Sequence, residues 1–297
     1  MVKVRLVEKF LAESRSNGIS SAVKLTLHHI RYRVRVGFQN LGFAVLDKMF
    51  QTGLENEAIA RRTQDIANRV GALVGNRVAY GPFKGLYIIE SRWWGRDRAG
   101  MLLGLYEKEI LDLFDNLPAS HRTFIDLGAA DGYYAIGALI SGKFDHSYCY
   151  EMSERGRKQL LHNAQINNVS NYLTIWGTAE PNFWKDLQRA GVDLSNVVMI
   201  CDIEGAEFDL LDEPTLQAFQ GATIIIELHD FIRKDGEQEL RRLKRDAEKY
   251  FRVTEFVSGS RDPSAIPELK KFSDDDRWLI CSEDRPQLMT WLKLEPK

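Results

Sequence analysis

Thr123-Phe-Ile-Asp-Leu-Gly-Ala-Ala-Asp-Gly-Tyr-Tyr-Ala135 is the stretch whose reading decides the fold of this chain. An apolar strand, Phe124-Ile125, runs into Asp126 and then into a turn that carries Gly128 and Gly132. A helix of small and apolar residues begins at Tyr133. Glycine lets a backbone come close to a ligand, and a helix N-terminus favours electron-rich groups. An acid at the carboxyl end of such a strand faces the crevice in which open α/β sheets bind nucleotides. The stretch therefore predicts a nucleoside-cofactor site.

The flanking sequence repeats the same rhythm. Strand-like segments at Phe124–Asp126, Ser147–Tyr150, Tyr172–Trp176, Val197–Cys201 and Thr223–Ile226 alternate with helical segments. The helices are expected over Tyr133–Ser141, Glu154–Asn167, Phe183–Ala190, a segment ending at Leu211, and Gly236–Tyr250. Strands alternating with helices mean βαβ units and a parallel sheet. The tail departs from this. Val253–Val257 and Arg277–Cys281 read as two strands, and the Pro/Asp/Ser-rich link Asp262–Asp276 shows no helical period. The expected fold is α/β and Rossmann-like: a mostly parallel seven-stranded sheet closed at one edge by an antiparallel C-terminal hairpin.

Upstream, residues 1–75 read as a mainly helical extension, and 76–297 as the catalytic-type domain. Val4, Leu6, Val7, Phe10 and Leu11 recur at helical spacing, as do Ile19, Val23, Leu27 and Ile30. Ile30–Val36 alternates with period two, which allows a short strand, and Leu54–Val74 is helical. Gly81-Pro82 and Gly85 punctuate a hairpin between Val78 and Ile89. Trp93-Trp94 among Arg92, Arg96 and Arg98 suits packing at a seam or stacking on a ring. Met101–Phe114 is expected to be one helix leading into the opening strand.

Composition narrows the class. The 297 residues are 44% hydrophobic and 28% charged, as in ordinary globular proteins, and the net charge of −2 gives no general sign of nucleic-acid binding. Residues 1–36 hold eight Lys/Arg against two acids, a net +6 that leaves −8 on the remainder. Such an arm can lie on the acidic body, cap the cofactor site, mediate a homodimer contact or touch a membrane surface peripherally. Cys149, Cys201 and Cys281 lack metal-ligand spacing and sit in apolar, strand-like runs, which fits reduced thiols. No apolar run nears the ~18 residues needed to span a bilayer, and no signal-peptide pattern opens the chain, so a soluble cytoplasmic protein is expected.

The loop also discriminates between cofactors. A dinucleotide site calls for G-x-G-x-x-G. Here Gly128-Ala-Ala-Asp-Gly132 has no glycine at 130, and Asp126 precedes the first glycine by two residues. A carboxylate there opposes a pyrophosphate and suits a cofactor with a cationic amino-acid end. With Glu151 closing the second strand, where an acid binds ribose hydroxyls, the order favours S-adenosylmethionine.

Residues 123–135 resemble motif one of class I S-adenosylmethionine-dependent methyltransferases. Val198-Met-Ile-Cys-Asp-Ile-Glu-Gly-Ala-Glu207 and Ile224-Ile-Ile-Glu-Leu-His229 resemble the D-h-E-G-x-E and E-h-H pair of the FkbM-type family. The resemblance covers roughly residues 80–260. Ala130 stands where that family usually has asparagine, and Ile200 where lysine is common. The resemblance implies that Gly128, Ala129 and Gly132 cradle the methionine end and ribose, with Asp126 under the amino group and Tyr133 ordering the loop. Glu151 and Met152 belong to the ribose side and Thr178-Ala179 to the adenine edge. Glu107, in the Tyr106-Glu107 pair, and Asp202 belong to the methionine end.

Methyl transfer to a hydroxyl requires alignment and a base. His229 is the candidate base and Asp202 its orienting acid, and no metal is then required. The rival arrangement has Asp202, Glu227 and His229 binding Mg²⁺ or another divalent ion that acidifies the hydroxyl. A third leaves His229 bonded to a neighbouring loop. Glu204 and Glu207 are placed on the first turn of the following helix, Glu207 as a cap. The family resemblance implies O-methylation of a sugar, glycan or natural product. A nucleic-acid methyltransferase and a non-catalytic S-adenosylmethionine-binding protein are the alternatives. The acidic body and the absence of an N/D-P-P-Y/F motif oppose the former.

Overall fold

The computed structural model describes residues 53–89 and 96–297. The basic arm, the helices expected before residue 53, the strand expected at Ile30–Val36 and the Trp93-Trp94 pair lie outside the described residues. The chain divides into two compact units, Met1–Arg61 and Arg62–Lys297. In the first, the described part is the opening of helix α1 (Gly53–Val74).

The second unit is built on seven strands. They are β1 (Thr123–Leu127), β2 (His146–Tyr150), β3 (Leu173–Trp176), β4 (Val197–Cys201), β5 (Thr223–Leu228), β6 (Phe251–Val257) and β7 (Thr290–Pro296). Their order in the sheet is β3-β2-β1-β4-β5-β7-β6. Strands β1 to β5 pair in parallel, and β7 runs antiparallel to both β5 and β6. Every residue of β4 and β5 is buried. These continuous apolar runs fit central strands covered on both faces, whereas Arg252 and Glu255 blunt the β6 edge.

The helices follow the expected alternation: α4 (Tyr133–Ile140), α5 (Glu154–Ile166), α6 (Trp184–Arg189), α7 (Glu207–Leu210), α8 (Glu213–Ala218) and α9 (Gly236–Ala247). One core joins Phe83, Phe114, Phe124, Ile136, Leu160 and Ile200; the other joins Phe183, Met199, Phe208, Leu216, Ile226 and Leu292. Among the described residues no helix is long and apolar enough to cross a membrane.

Four sequence expectations are corrected. Met101–Phe114 is not one helix but two, α2 (Arg98–Leu102) and α3 (Lys108–Phe114). Gly104 at φ 65° breaks it, and a Cβ there would lie 2.5 Å from the Tyr80 carbonyl oxygen. Arg277–Cys281 is not a strand: it belongs largely to α10 (Asp274–Ile280), and the hairpin partner of β6 is β7. Ser273 caps α10 through Asp276 N–H, and Asp274, Asp275 and Asp276 fill its first turn. Asp276 then pairs with Arg62 at 2.7 Å and Arg69 at 3.3 Å, while Ile280 packs with Ile66, Val70 and Leu102. Cys281 accordingly lies at the end of a helix and is half-buried, whereas Cys149 and Cys201 are buried in strands; all three are free. Glu204 precedes α7 and takes φ 54°, so it is not on that helix.

Candidate active site

At the carboxyl ends of β1 and β4 two backbones nearly touch. A Cβ on Gly128, at φ 91°, would lie 1.8 Å from the Asp202 carbonyl oxygen. Gly132, at φ 93°, admits Leu160, whose Cδ1 would lie 2.2 Å from an added Cβ. Only glycine fits either place. Between them Ala130 is held at φ 47°, a left-handed conformation that disfavours a Cβ.

The loop is fixed from within. Gly128 N–H and Ala129 N–H donate to Tyr150 O at 2.9 and 3.0 Å. Ala130 N–H donates to Glu151 Oε2 at 2.9 Å and Ser153 N–H to Glu151 Oε1 at 2.6 Å. The glycines therefore provide shape and close approach, and Glu151 braces the loop while lying at the end of β2. Beneath it Asp126 is 3% exposed, and its Oδ2 has no hydrogen-bond partner. Burial, with Asp202, Glu151 and Asp131 nearby, pushes its carboxyl up to about 8.

Tyr133 is buried with an unpartnered hydroxyl, its ring edge-on to Phe83 and Tyr106. Ala179 is half-buried against the second core, Thr178 is exposed, and Met152 is 76% exposed.

The other wall comes from β4 and β5. Asp202, Glu227 and His229 each place a ligand-capable atom within 4.8 Å of the others. His229 Nε2 lies 3.8 Å from Asp202 Oδ1, 3.6 Å from Glu204 Oε2 and 3.8 Å from Glu227 Oε2. Asp202 Oδ1 is buried without a hydrogen-bond partner. Burial opposes the charge on His229, yet Glu207, Asp202 and Glu204 together raise its pKa above the usual value. Burial, then Asp202 and Glu107, push Glu227 upward despite Arg285.

Glu207 is fully buried and ties these two loops together. Its Oε2 accepts Gly205 N–H and its Oε1 accepts His229 N–H, both at 2.8 Å. The role is larger than a helix cap, since one carboxylate joins the turn after β4 to the end of β5. Gly205, at φ 96°, permits that turn.

Glu107 closes the crevice from the side. It sits at φ 45° before α3, accepts Tyr134 Oη–H and pairs with Arg285. Its N–H donates to Glu283 Oε1 at 2.9 Å. Burial is the main reason its carboxyl rises to about 7.

Sequence reasoning missed Arg285, Glu283, Arg261 and Asp97. Arg285 reaches Glu107 and Glu227 at once and holds Glu283 at 2.9 Å. Arg261 pairs with Glu109 and Glu283, both at 2.6 Å. Burial raises Asp97 to about 7, and its Oδ1 is unpartnered. The one available signal was arithmetic: so many acids at one sheet edge call for buried arginines. Even with them, five carboxyls at this edge are pushed upward, first by burial and then by one another, and the acids outnumber the arginines, so the crevice is short of positive charge.

No protein-family model matches this chain, and no curated protein matches it in sequence. Among solved structures it is similar to the METTL16 MTase domain, at 16% identity over 66% of this chain and 68% of that one, with a TM-score of 0.44. It is similar to a candidate O-methyltransferase from Klebsiella pneumoniae at 12% identity, covering 86% and 96% of the two chains, with a TM-score of 0.44. A protein of the NADB-Rossmann superfamily from Streptococcus agalactiae matches at 13% identity over 64% and 68%, with a TM-score of 0.42. At such identities a likeness concerns the course of the chain and not its chemistry. The sheet itself is Rossmann-like and mostly parallel, with β7 inserted antiparallel between β5 and β6.

Proposed function

We propose that this chain is an S-adenosylmethionine-dependent methyltransferase that methylates a hydroxyl on a small molecule or glycan. The observation that carries this reading is Asp126: a buried carboxylate with an unpartnered oxygen, beneath a glycine loop, in a crevice short of positive charge. A cationic ligand group relieves that deficit, and a dinucleotide pyrophosphate would worsen it. The same deficit opposes a nucleic-acid backbone as acceptor. Asp126 and Glu107 would hold the amino-acid end, and Glu151 the ribose side.

The donor supplies an electrophilic methyl group. The chain's own part is to align the acceptor hydroxyl and take its proton at His229 Nε2, which faces Asp202, with Glu207, 3.5 Å from Nδ1, orienting the ring. Deprotonation needs a neutral imidazole. The surrounding acids disfavour that form in the free protein, and a cation bound in the crevice favours it again.

Calorimetry with S-adenosylmethionine and with NAD tests the cofactor; binding of NAD alone would end this reading. His229→Ala should cut turnover at least tenfold with donor affinity kept. A second reading draws on the proximity of Asp202, Glu227 and His229, which suits a divalent cation that would acidify the hydroxyl instead. Activity lost in a chelator and restored by Mn²⁺ would favour it.

A further inference from the structure

Phe231 and Ile232 follow Asp230 beside His229, and they are 41% and 52% exposed. A lone exposed apolar side chain is ordinary on a protein surface. These two are adjacent, they stand at the crevice, and they are held. The Phe231 ring centroid lies 6.0 Å from that of His229, and Ile232 Cδ1 would lie 3.0 Å from a Cβ added to Gly205.

The segment that carries them is closed tightly. A Cβ on Gly236 would lie 1.9 Å from the Asp230 carbonyl oxygen. Arg233 donates to Gly205 O at 3.1 Å, to Asp209 Oδ2 at 2.8 Å and to Asp235 Oδ1 at 3.0 Å. At the other end Glu207 holds the His229 N–H. At 41% and 52% exposure, part of each apolar side chain stays in water, where it contributes nothing to folding.

The exposure continues along the same sheet edge. Leu228, Val257 and Thr290 align across β5, β6 and β7. Val257 is 50% exposed, and Leu288, two residues before β7, is 70% exposed. Phe231 and Ile232 thus form an apolar rim beside the acidic cluster around His229.

We propose that this rim, centred on Phe231 and Ile232, binds the apolar body of the methyl acceptor. The acceptor is then a hydroxyl compound with a planar or aliphatic portion next to the reacting oxygen, not a free or nucleotide-linked sugar. An acidic cluster beside an apolar rim repels phosphates and welcomes an uncharged alcohol or phenol. The inference rests on the methyltransferase reading of the crevice.

The probe is 2-naphthol, titrated calorimetrically into the full chain saturated with S-adenosylhomocysteine. The native protein should bind it, and Phe231→Ala and Ile232→Ala should each weaken binding by about tenfold, the effect of losing a partly buried apolar contact. Leu161→Ala, which removes a 44% exposed leucine from α5, should leave it unchanged. Uridine diphosphate glucose should not displace the naphthol. Equal affinity in all four proteins, no naphthol binding up to its solubility, or displacement by the nucleotide sugar would overturn the proposal. Failure of S-adenosylhomocysteine itself to bind would remove the methyltransferase reading, and the proposal with it.

Discussion

The loop after β1 and the loops after β4 and β5 face one crevice with opposite hydrogen-bond accounts. In the first, Gly128, Ala129 and Ala130 all donate to Tyr150 O or Glu151, and Asp126 Oδ2 is left over. In the second, the backbone is tied by Glu207, whereas His229 Nε2 stands 3.8 Å from both Asp202 Oδ1 and Glu227 Oε2, too far for a hydrogen bond to either. A saturated loop is a shaped surface that a ligand meets. An unsaturated cluster is a set of groups that a ligand or a proton completes. The difference separates a wall built for shape from a wall built for chemistry.

Substitutions can break each wall in its own way. Gly128→Ala should have the largest effect, because a Cβ would sit 1.8 Å from the Asp202 carbonyl oxygen on a backbone at φ 91°. Both walls would separate, at about 3–5 kcal/mol of stability in urea unfolding. Glu207→Gln comes next. A glutamine can accept from only one of the Gly205 and His229 N–H groups and turns a donor toward the other. A loss of about 2–4 kcal/mol is expected. NMR should show His229 titrating at lower pH, since Glu207 is among the groups that raise it.

The two walls were unequally legible in the sequence. The loop after β1 is local: strand, acid, glycines and helix follow within thirteen residues, so the motif reads directly and β1 to β5 fall where their β-branched runs place them. The convergence of Asp202, Glu227 and His229 was also accessible, because adjacent parallel strands end at one edge. Arg285 was not. It lies in a stretch with no period, and its partners Glu227 and Glu107 are 58 and 178 residues away. The same stretch hid α10, whose Ser273 cap and three aspartates look like a solvated link until Arg62 and Arg69 are brought against them. Long-range charge pairing leaves little trace in local pattern.

Asp126→Asn separates the walls electrostatically. Burial pushes the native carboxyl up to about 8, far above the usual value of about 4 for an aspartate. Between those values the folded chain keeps a proton that the unfolded chain has lost, so this group's contribution to stability falls as pH rises from about 4 to 8. Asp97 and Glu107, both raised to about 7, add to the same slope. Asp126→Asn should flatten the slope by one proton in melts across that range. It should also weaken S-adenosylmethionine binding by about 10–100-fold at pH 8, as expected for loss of a charge-assisted contact. In the native protein donor affinity should climb toward pH 8, and in the variant the climb should be smaller, since only Glu107 still titrates at that end.

The smallest effect should run the other way. Ala130 is held at φ 47°, where a Cβ costs about 1–2 kcal/mol that glycine avoids. Glycine also frees the unfolded chain by about 0.4–1 kcal/mol, so Ala130→Gly should stabilise by only about 0.5–1 kcal/mol. Its N–H would still reach Glu151, and the loop would keep its shape. A small rise in melting temperature with unchanged donor affinity would mark the strain at 130 as incidental to binding. A weaker donor affinity would instead mean that the alanine methyl or the stiffness of the loop belongs to the shaped wall, and that the wall's work is done by rigidity as well as by fit.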